Sequence, residues 1–271
     1  MQKNKLKAMI IEPGTKVDLS KYDANDDLGW TKEDAAVATE KNRAEMAEMH
    51  DLLWAASTDA LLIVLQGMDT AGKDGTVRHV MTGLNPQGCN VTSFKVPTAI
   101  EANHDYLWRI HRVVPSRGTI GVFNRSHYED VLVTRVRKLI SDDVAKRRFE
   151  QINWFENYLI ENHVHVLKIF LHISRDEQRE RLESRLVEKS KSWKLSESDL
   201  EARAHWDDYQ HYYEEALAAC STKHAPWYIV PANRKWLRNL VVSQLITDIM
   251  SGFNMKWPKP EVDLAKVKIP K

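Results

Sequence analysis

Leu61-Leu62-Ile63-Val64-Leu65-Gln66 runs straight into Gly67-Met68-Asp69-Thr70-Ala71-Gly72-Lys73-Asp74. The first run is short and apolar, with polar residues before it and a glycine after it. That pattern suits a strand buried on both faces, as in a parallel sheet. The second run matches G-x-x-x-x-G-K followed by Asp, where a strand gives way to a helix. Gly67 and Gly72 let backbone N–H groups turn inward around a phosphate. The following helix adds its N-terminal dipole, and Lys73 supplies a point charge. The plainer alternative is a strand–helix turn that binds nothing. Asp74 stands where a Ser or Thr hydroxyl usually reaches magnesium, and Asp69 adds a second acid. Two carboxylates would repel a phosphate unless a divalent cation sits between them. This creates the expectation of Mg²⁺, with Mn²⁺ as the alternative.

Outward from this loop, strands alternate with helices. A helix is expected over Gly72–Leu84, then a strand over Asn90–Val96, a helix over Glu101–Val113 and a strand over Thr119–Phe123. A long helix over Asp142–His163 has Phe149, Ile152, Phe155 and Leu159 on one side. Val164–Ile173 reads as a strand, Arg175–Glu188 as a charged helix, Trp227–Val230 as a strand and Trp236–Met250 as a closing helix. Five short strands separated by helices predict an α/β fold, a parallel sheet with helices on both faces. Thr31 starts a further helix through Ala56, preceded by an extension expected to lie on the surface. The division is therefore one domain over 1–271: extension and helix over 1–56, a core over 57–253 interrupted by a segment at about 175–200, and a tail over 254–271.

The third strand ends in Asn124-Arg125-Ser126-His127-Tyr128-Glu129-Asp130. In phosphate-loop enzymes the strand beside the first carries an acid that orients magnesium. Asn124 occupies that end here, with Glu129 and Asp130 a turn later, and Arg125 is placed to reach a phosphoryl oxygen. The alternative is that Asn124 and Ser126 only cap a turn. Further cations recur: Arg78 after the loop, Arg135, Arg137 and Lys138 after the third strand, then Arg175, Arg179, Arg181, Arg185, Lys189, Lys191 and Lys194. Interleaved acids allow a solvated, ion-paired helix. Yet so many cations around one phosphate loop bring a long polyanion into consideration. Trp206, Tyr209, Tyr213 and Leu217 read as a core stripe. His104 with His111, and His163 with His165, read as surface or core histidines.

The 271 residues hold 39 Lys+Arg against 38 Asp+Glu, a net charge of +1. That balance offers no sign of a nucleic-acid or anionic-membrane partner. No apolar run approaches a membrane span, and the N-terminus lacks a signal-peptide pattern. Cys89 and Cys220 form no C-x-x-C pair, are expected to be buried and inert, and fit a reducing cytoplasm.

The stretches GMDTAGKDG, FNRSHYEDVLVTRV and SRDEQRERLESRL…KSWKLSESDLEARAHWDDY together resemble the polyphosphate kinase 2 family, over roughly residues 10–257. The resemblance implies a P-loop kinase fold similar to thymidylate kinase, with a helical lid over the active site. It implies Mg²⁺-dependent, reversible transfer of the terminal phosphoryl of inorganic polyphosphate to a nucleotide. The Asn124 version of the second motif is similar to the branch that accepts both AMP and ADP. On this resemblance Lys73 grips the transferring phosphoryl group, while Asp69 holds magnesium and orients the attacking phosphate. Arg125 contacts phosphate, and Asn124 orders the metal's water shell. Asp74 and Glu129 complete the metal set. Arg179, Arg181 and Lys194 close the lid over the chain, with Gly67, Gly72, Arg78 and Arg135 among the binding positions. AMP, ADP and ATP are the implied nucleotides, and a homo-oligomer is the implied assembly. Two rivals stay open. An ATP-dependent nucleoside monophosphate kinase would need ATP and ignore polyphosphate. A non-catalytic P-loop protein would bind without turnover.

Overall fold

The computed structural model describes residues 9–270. Its strands are β1 (Ala60–Gln66), β2 (Cys89–Ser93), β3 (Ile120–Asn124), β4 (Val164–His172) and β5 (Trp227–Pro231). All pair in parallel, in the order β2-β3-β1-β4-β5. The expected five-stranded α/β sheet is present. β1 is central and buried along its whole length, as an apolar run without alternation requires. Seven helices of eight residues or more accompany it among the described residues: α1 (Lys32–Ala56), α2 (Lys73–Val80), α3 (Asp142–Glu161), α4 (Arg175–Val187), α5 (Glu197–Ala204), α6 (Trp206–Cys220) and α7 (Lys235–Ser251). α1 and α2 pack with α7, and α3 packs with α6 on β4, so the helices form two groups. The expected stripe of α3 is buried at Phe149, Ile152, Phe155 and Leu159, and Trp206, Tyr213 and Leu217 of α6 are core residues.

Several boundaries differ from the expected ones, each for a local reason. β2 ends at Ser93, not Val96. Phe94 still donates its N–H to Asn124 O at 3.1 Å, but the chain then turns away and Lys95 O is taken by Arg109 Nη1 at 2.8 Å. The helix expected over Glu101–Val113 is two single turns, Ala99–Ala102 and Trp108–His111. Thr98 and Glu101 form a capping box on the first. Asp105 Oδ1 then accepts the Leu107 N–H at 3.0 Å, a local side-chain bond that competes with a continuous helix.

The larger correction is the N-terminal extension. From Met9 it is not a surface segment: Met9, Ile11, Val17 and Leu19 are buried. Ile11 N–H donates to Trp227 O and Ile229 N–H to Met9 O, both at 2.9 Å, so the segment runs antiparallel along β5. An unpaired edge strand is a liability, and this covers it. Residues 1–8 lie outside the described residues. No described helix is long and apolar enough to cross a membrane. Residues 254–270 form no helix or strand. Cys220 is buried, with its thiol pushed up to about 12 by burial, whereas Cys89 is only half-buried.

Candidate active site

The loop after β1 has the backbone that its glycines allow. Gly67 takes φ +148° and Gly72 φ +102°. A Cβ on Gly67 would lie 2.6 Å from Leu171 O, and one on Gly72 would lie 1.9 Å from Arg238 Nη1. Gly67 therefore needs glycine for space against fixed backbone as well as for conformation, whereas at Gly72 the clash is with the tip of a side chain and it is the positive φ that requires glycine. Thr70, at φ +68°, keeps a buried hydroxyl with no hydrogen-bond partner among the described residues. Gly72 caps α2 without a side-chain acceptor, so the first N–H groups of the helix stay available to an anion. Lys73 is buried, and its Nζ donates to Gly67 O at 2.7 Å and Met68 O at 3.2 Å. Burial, then the Arg125 charge, hold its ammonium below the usual lysine range.

β3 lies beside β1 and delivers the second motif to the same end of the sheet. Arg125, at φ +63°, is a non-glycine residue in the left-handed region, a conformation costing about 1–3 kcal/mol that often marks functional positions. Its guanidinium meets Asp69 Oδ1 at 2.5 Å and Glu129 Oε2 at 3.7 Å. The Glu129 charge, against burial, raises its pKa. Asn124 Nδ2 donates to Asp74 Oδ1 at 2.7 Å, and Lys194 Nζ donates to Asp74 Oδ2 at 3.3 Å. Burial opposes ionisation of Asp74, but the Asn124 amide and the Lys194 and Lys73 ammonium groups outweigh it and lower its pKa.

The motif is anchored from beneath. Glu156 of α3 receives Lys168 Nζ of β4 at 2.5 Å, the Tyr128 hydroxyl at 2.8 Å and lies 3.2 Å from His127 Nε2. All four residues are buried. Lys168 also donates to Cys220 O at 2.5 Å.

Between β4 and β5 the chain forms α4, a turn over Lys189–Ser192, α5 and the core helix α6, and the segment from α4 to α5 is the lid. It faces a cleft of about 950 Å³ lined by the phosphate loop, Asn124, Arg125 and residues of this segment. Of the expected residues, Asp69, Gly72, Lys73, Asp74, Asn124, Arg125, Arg181 and Lys194 line the cleft together. Gly67 and Glu129 line a small adjoining hollow with Asp69 and Arg125. Arg181 is spent on the frame: its Nη1 reaches Thr70 O at 2.8 Å and Ala71 O at 3.2 Å, and its Nη2 reaches Ala232 O at 2.7 Å and Asn233 O at 2.9 Å. It positions the loop and leaves little to offer a ligand.

Three expected positions are not brought there. Arg78 is exposed beyond the cleft lining. Arg179 pairs with Glu183 at 3.5 Å on the solvent face of α4, since it lies two residues from inward-facing Arg181. Arg135 is buried between Asp142 at 2.7 Å and Glu215 at 2.5 Å, with its guanidinium over the Tyr212 ring. His104 stacks on Trp108, and His163 and His165 face Asp59. Asp130 turns away from the loop toward Arg109 and Arg148.

Sequence reasoning missed Lys235 and Arg238, which approach the loop from α7. Arg238 is buried, and among the described residues its guanidinium donates only to Asn239 Oδ1, at 2.9 and 3.2 Å. Burial, then Arg181, push its pKa down to about 10. Burial, then Arg181 and Lys191, lower that of Lys235. Cations that repel one another in this way form a field that an anion would relieve. Nothing local marked them, because they follow β5, distant in sequence from the loop.

A sheet with this loop on its central strand, a second motif on its neighbour and a basic segment above matches a family model. The model for polyphosphate kinase 2 covers residues 29–257. The chain belongs to the polyphosphate kinase 2 family. It is an enzyme of that family, built on the P-loop kinase fold. It is 43% identical over 266 residues to the AMP/ADP-polyphosphate phosphotransferase of Meiothermus ruber, spanning 97% of this chain and 100% of that one. It is 42% identical over 270 residues to the ADP-polyphosphate phosphotransferase of Rhodopseudomonas palustris, spanning 95% and 93%. Among solved structures, the polyphosphate kinase 2 of Arthrobacter aurescens superposes with a TM-score of 0.91 at 42% identity, covering 96% of this chain and 93% of that one.

Proposed function

We propose that the protein transfers the terminal phosphoryl group of inorganic polyphosphate to ADP and AMP, reversibly and with Mg²⁺. The observation that carries this reading is the charge of the cleft. Nine Lys and Arg side chains line it against three Asp, in a chain whose net charge is only +1. The excess includes Lys191 and Lys194 of the lid and Lys235 and Arg238 of α7, more positive charge than one triphosphate would balance. The named relatives support the nucleotide acceptors.

In the reaction, an oxygen of the acceptor's terminal phosphate forms a bond to the terminal phosphorus of the chain. The bond to the bridging oxygen breaks, and the electron pair leaves with the shortened polyphosphate. The acceptor oxygen is already anionic, so no strong base is needed. Positioning and charge neutralisation remain. Lys73 and the α2 N-terminus cradle the transferring group, and Arg125, locked by Asp69 and Glu129, faces it. Lys194 ties the lid to Asp74, and a closed lid excludes water as a competing acceptor.

The donor set fits Mg²⁺. Asp69 and Asp74 supply hard oxygens, and the Asn124 amide nitrogen is directed to Asp74. Mg²⁺ is usually held by one or two carboxylates plus substrate phosphates rather than by a protein cage. Asp69 and Asp74 would hold it, with Asn124 and Glu129 beside them. Bound there, it would neutralise charge on the phosphates. We also place the protein in the cytoplasm as a homo-oligomer, the former supported by its two free cysteines, the latter testable by light scattering.

The test uses Mg²⁺, long-chain polyphosphate as sole donor and AMP or ADP as acceptor, with nucleotides resolved by chromatography. ADP and then ATP are expected from AMP, and Lys73→Ala should lower the rate by about a thousandfold or more. Phosphorylation of ADP alone would remove AMP from the reading. Transfer from ATP but not from polyphosphate would replace it with a nucleoside monophosphate kinase.

A further inference from the structure

Strand β1 is apolar except at its last residue. Gln66 ends it, is buried, and takes no part in the chemistry described above. An amide placed among Leu, Ile and Val side chains costs free energy unless it is hydrogen-bonded. Gln66 is bonded at both of its polar atoms. Its Nε2 donates to Ser126 Oγ at 3.1 Å, and its Oε1 accepts from the Tyr213 hydroxyl at 3.4 Å. Ser126 is also buried, and its Oγ accepts the Tyr128 N–H at 3.2 Å, which starts the turn that carries Glu129. Tyr213 lines the small hollow with Gly67, Asp69, Arg125 and Glu129. In sequence, Gln66 precedes the first glycine of the phosphate loop and Ser126 follows Arg125.

The two strands part at this level. β1 and β3 are paired as far as Leu65 and Asn124. The Arg125 N–H still donates to Leu65 O at 3.1 Å. Beyond that point Gly67 and Arg125 both enter positive φ, and each segment turns its own way. Among the described residues, three side-chain links then join the phosphate-loop side to the second motif: Arg125 to Asp69, Asn124 to Asp74, and Gln66 to Ser126. The first two are made by groups that meet phosphate and metal in the reading above, so a ligand competes with both. The third is buried and uncharged, and it persists while the others exchange.

We infer that Gln66 is a positioning residue: through Ser126 it holds the Arg125 guanidinium in register with the Lys73 loop when substrate draws Arg125 away from Asp69. This rests on the polyphosphate reading above. Groups that hold a transferring phosphoryl from two sides must keep their spacing to within about 0.5 Å. A displacement of about 1 Å, caused by a change away from the chemistry, can cost about a hundredfold in rate. The cost falls on kcat, since the cations that attract the chain along the rest of the cleft are untouched.

The test compares Gln66→Leu, Arg125→Ala and the double variant, with polyphosphate as donor and ADP as acceptor. Single-turnover rates at high enzyme concentration keep the slow Arg125→Ala background measurable. Gln66→Leu should lower kcat by roughly ten- to a hundredfold and leave both KM values within about twofold. In the Arg125→Ala background it should change the rate by less than about threefold, because residues that act as a unit are not additive. Calorimetry reports whether each variant is folded. Ser126→Ala removes one oxygen at the other end of the link and should give the same loss and the same collapse, which keeps the inference testable if Gln66→Leu does not fold. An equal loss of rate in both backgrounds would overturn the inference and leave Gln66 a structural residue, and so would an unchanged kcat in folded Gln66→Leu. A wild type that transfers nothing from polyphosphate would overturn the polyphosphate reading as well.

Discussion

Arg179 and Arg181 stand two residues apart on one helix and do different things. Arg181 is nearly buried and satisfies four backbone carbonyls from the phosphate loop and the β5–α7 turn. Arg179 is 60% exposed and, among the described residues, pairs only with Glu183. A hydrogen bond to a charged group contributes about 1.5–3 kcal/mol, and orphaned buried carbonyls add to the cost of losing it. Arg181→Ala should therefore destabilise the fold by about 3 kcal/mol or more, visible as a drop of several degrees in Tm by calorimetry. Arg179→Ala should cost about 0–1 kcal/mol and serves as the control. A stable Arg181→Ala with a selective loss of polyphosphate affinity would show instead that this guanidinium releases the frame to bind the chain.

The link between α3 and β4 is a buried charge pair beneath the second motif. Glu156 lies in the interior, yet Lys168 and His127 offset its burial and hold its carboxyl below the usual range. A depressed carboxyl contributes stability that is present above its unfolded pKa, near 4.5, and is lost as pH falls through the lower folded value. Glu156→Gln should strip that contribution and strand Lys168, costing about 3–5 kcal/mol. The acid limb of a Tm-versus-pH curve should then flatten below about pH 4.5. Adding Lys168→Met should recover most of the loss, because an apolar replacement of both partners removes the stranded charge. If the double variant is no better than the single one, the pair is not the unit of stability described here.

For the whole molecule, near-neutral net charge conceals a strongly asymmetric surface. Basic residues from the phosphate loop, β2's exit, the lid and α7 converge on one cleft. Such a field raises the local concentration of a polyanion and weakens with salt. Lys235 is exposed and forms no ion pair among the described residues. Lys235→Ala should raise the KM for polyphosphate severalfold, leave the KM for ADP unchanged, and make the polyphosphate KM less sensitive to added NaCl. Equal rises in both KM values would place Lys235 on the nucleotide path instead. The N-terminal segment belongs to this scale too. It closes the β5 edge, and Arg234 Nε donates to Asn25 O at 3.0 Å, which steadies the turn from which α7 projects Lys235 and Arg238.

The backbone form of the phosphate loop, the placing of the second motif beside it and the order of strands and helices were legible in the sequence, because each is a local matter. A buried parallel strand is a continuous apolar run, a phosphate cradle needs glycines and a lysine at fixed spacing, and a helix start needs its cap, as at Thr31. The helical register that separates Arg181 from Arg179, the burial of Met9 and Ile11 on an edge strand, and the approach of Arg238 to Gly72 were decided only by tertiary packing. They depend on which face of an element finds a neighbour, and that neighbour lies far away along the chain. The same holds for Asp130: its acidity was plain in the motif, but only the fold turned it from the metal side of the loop toward Arg109 and Arg148.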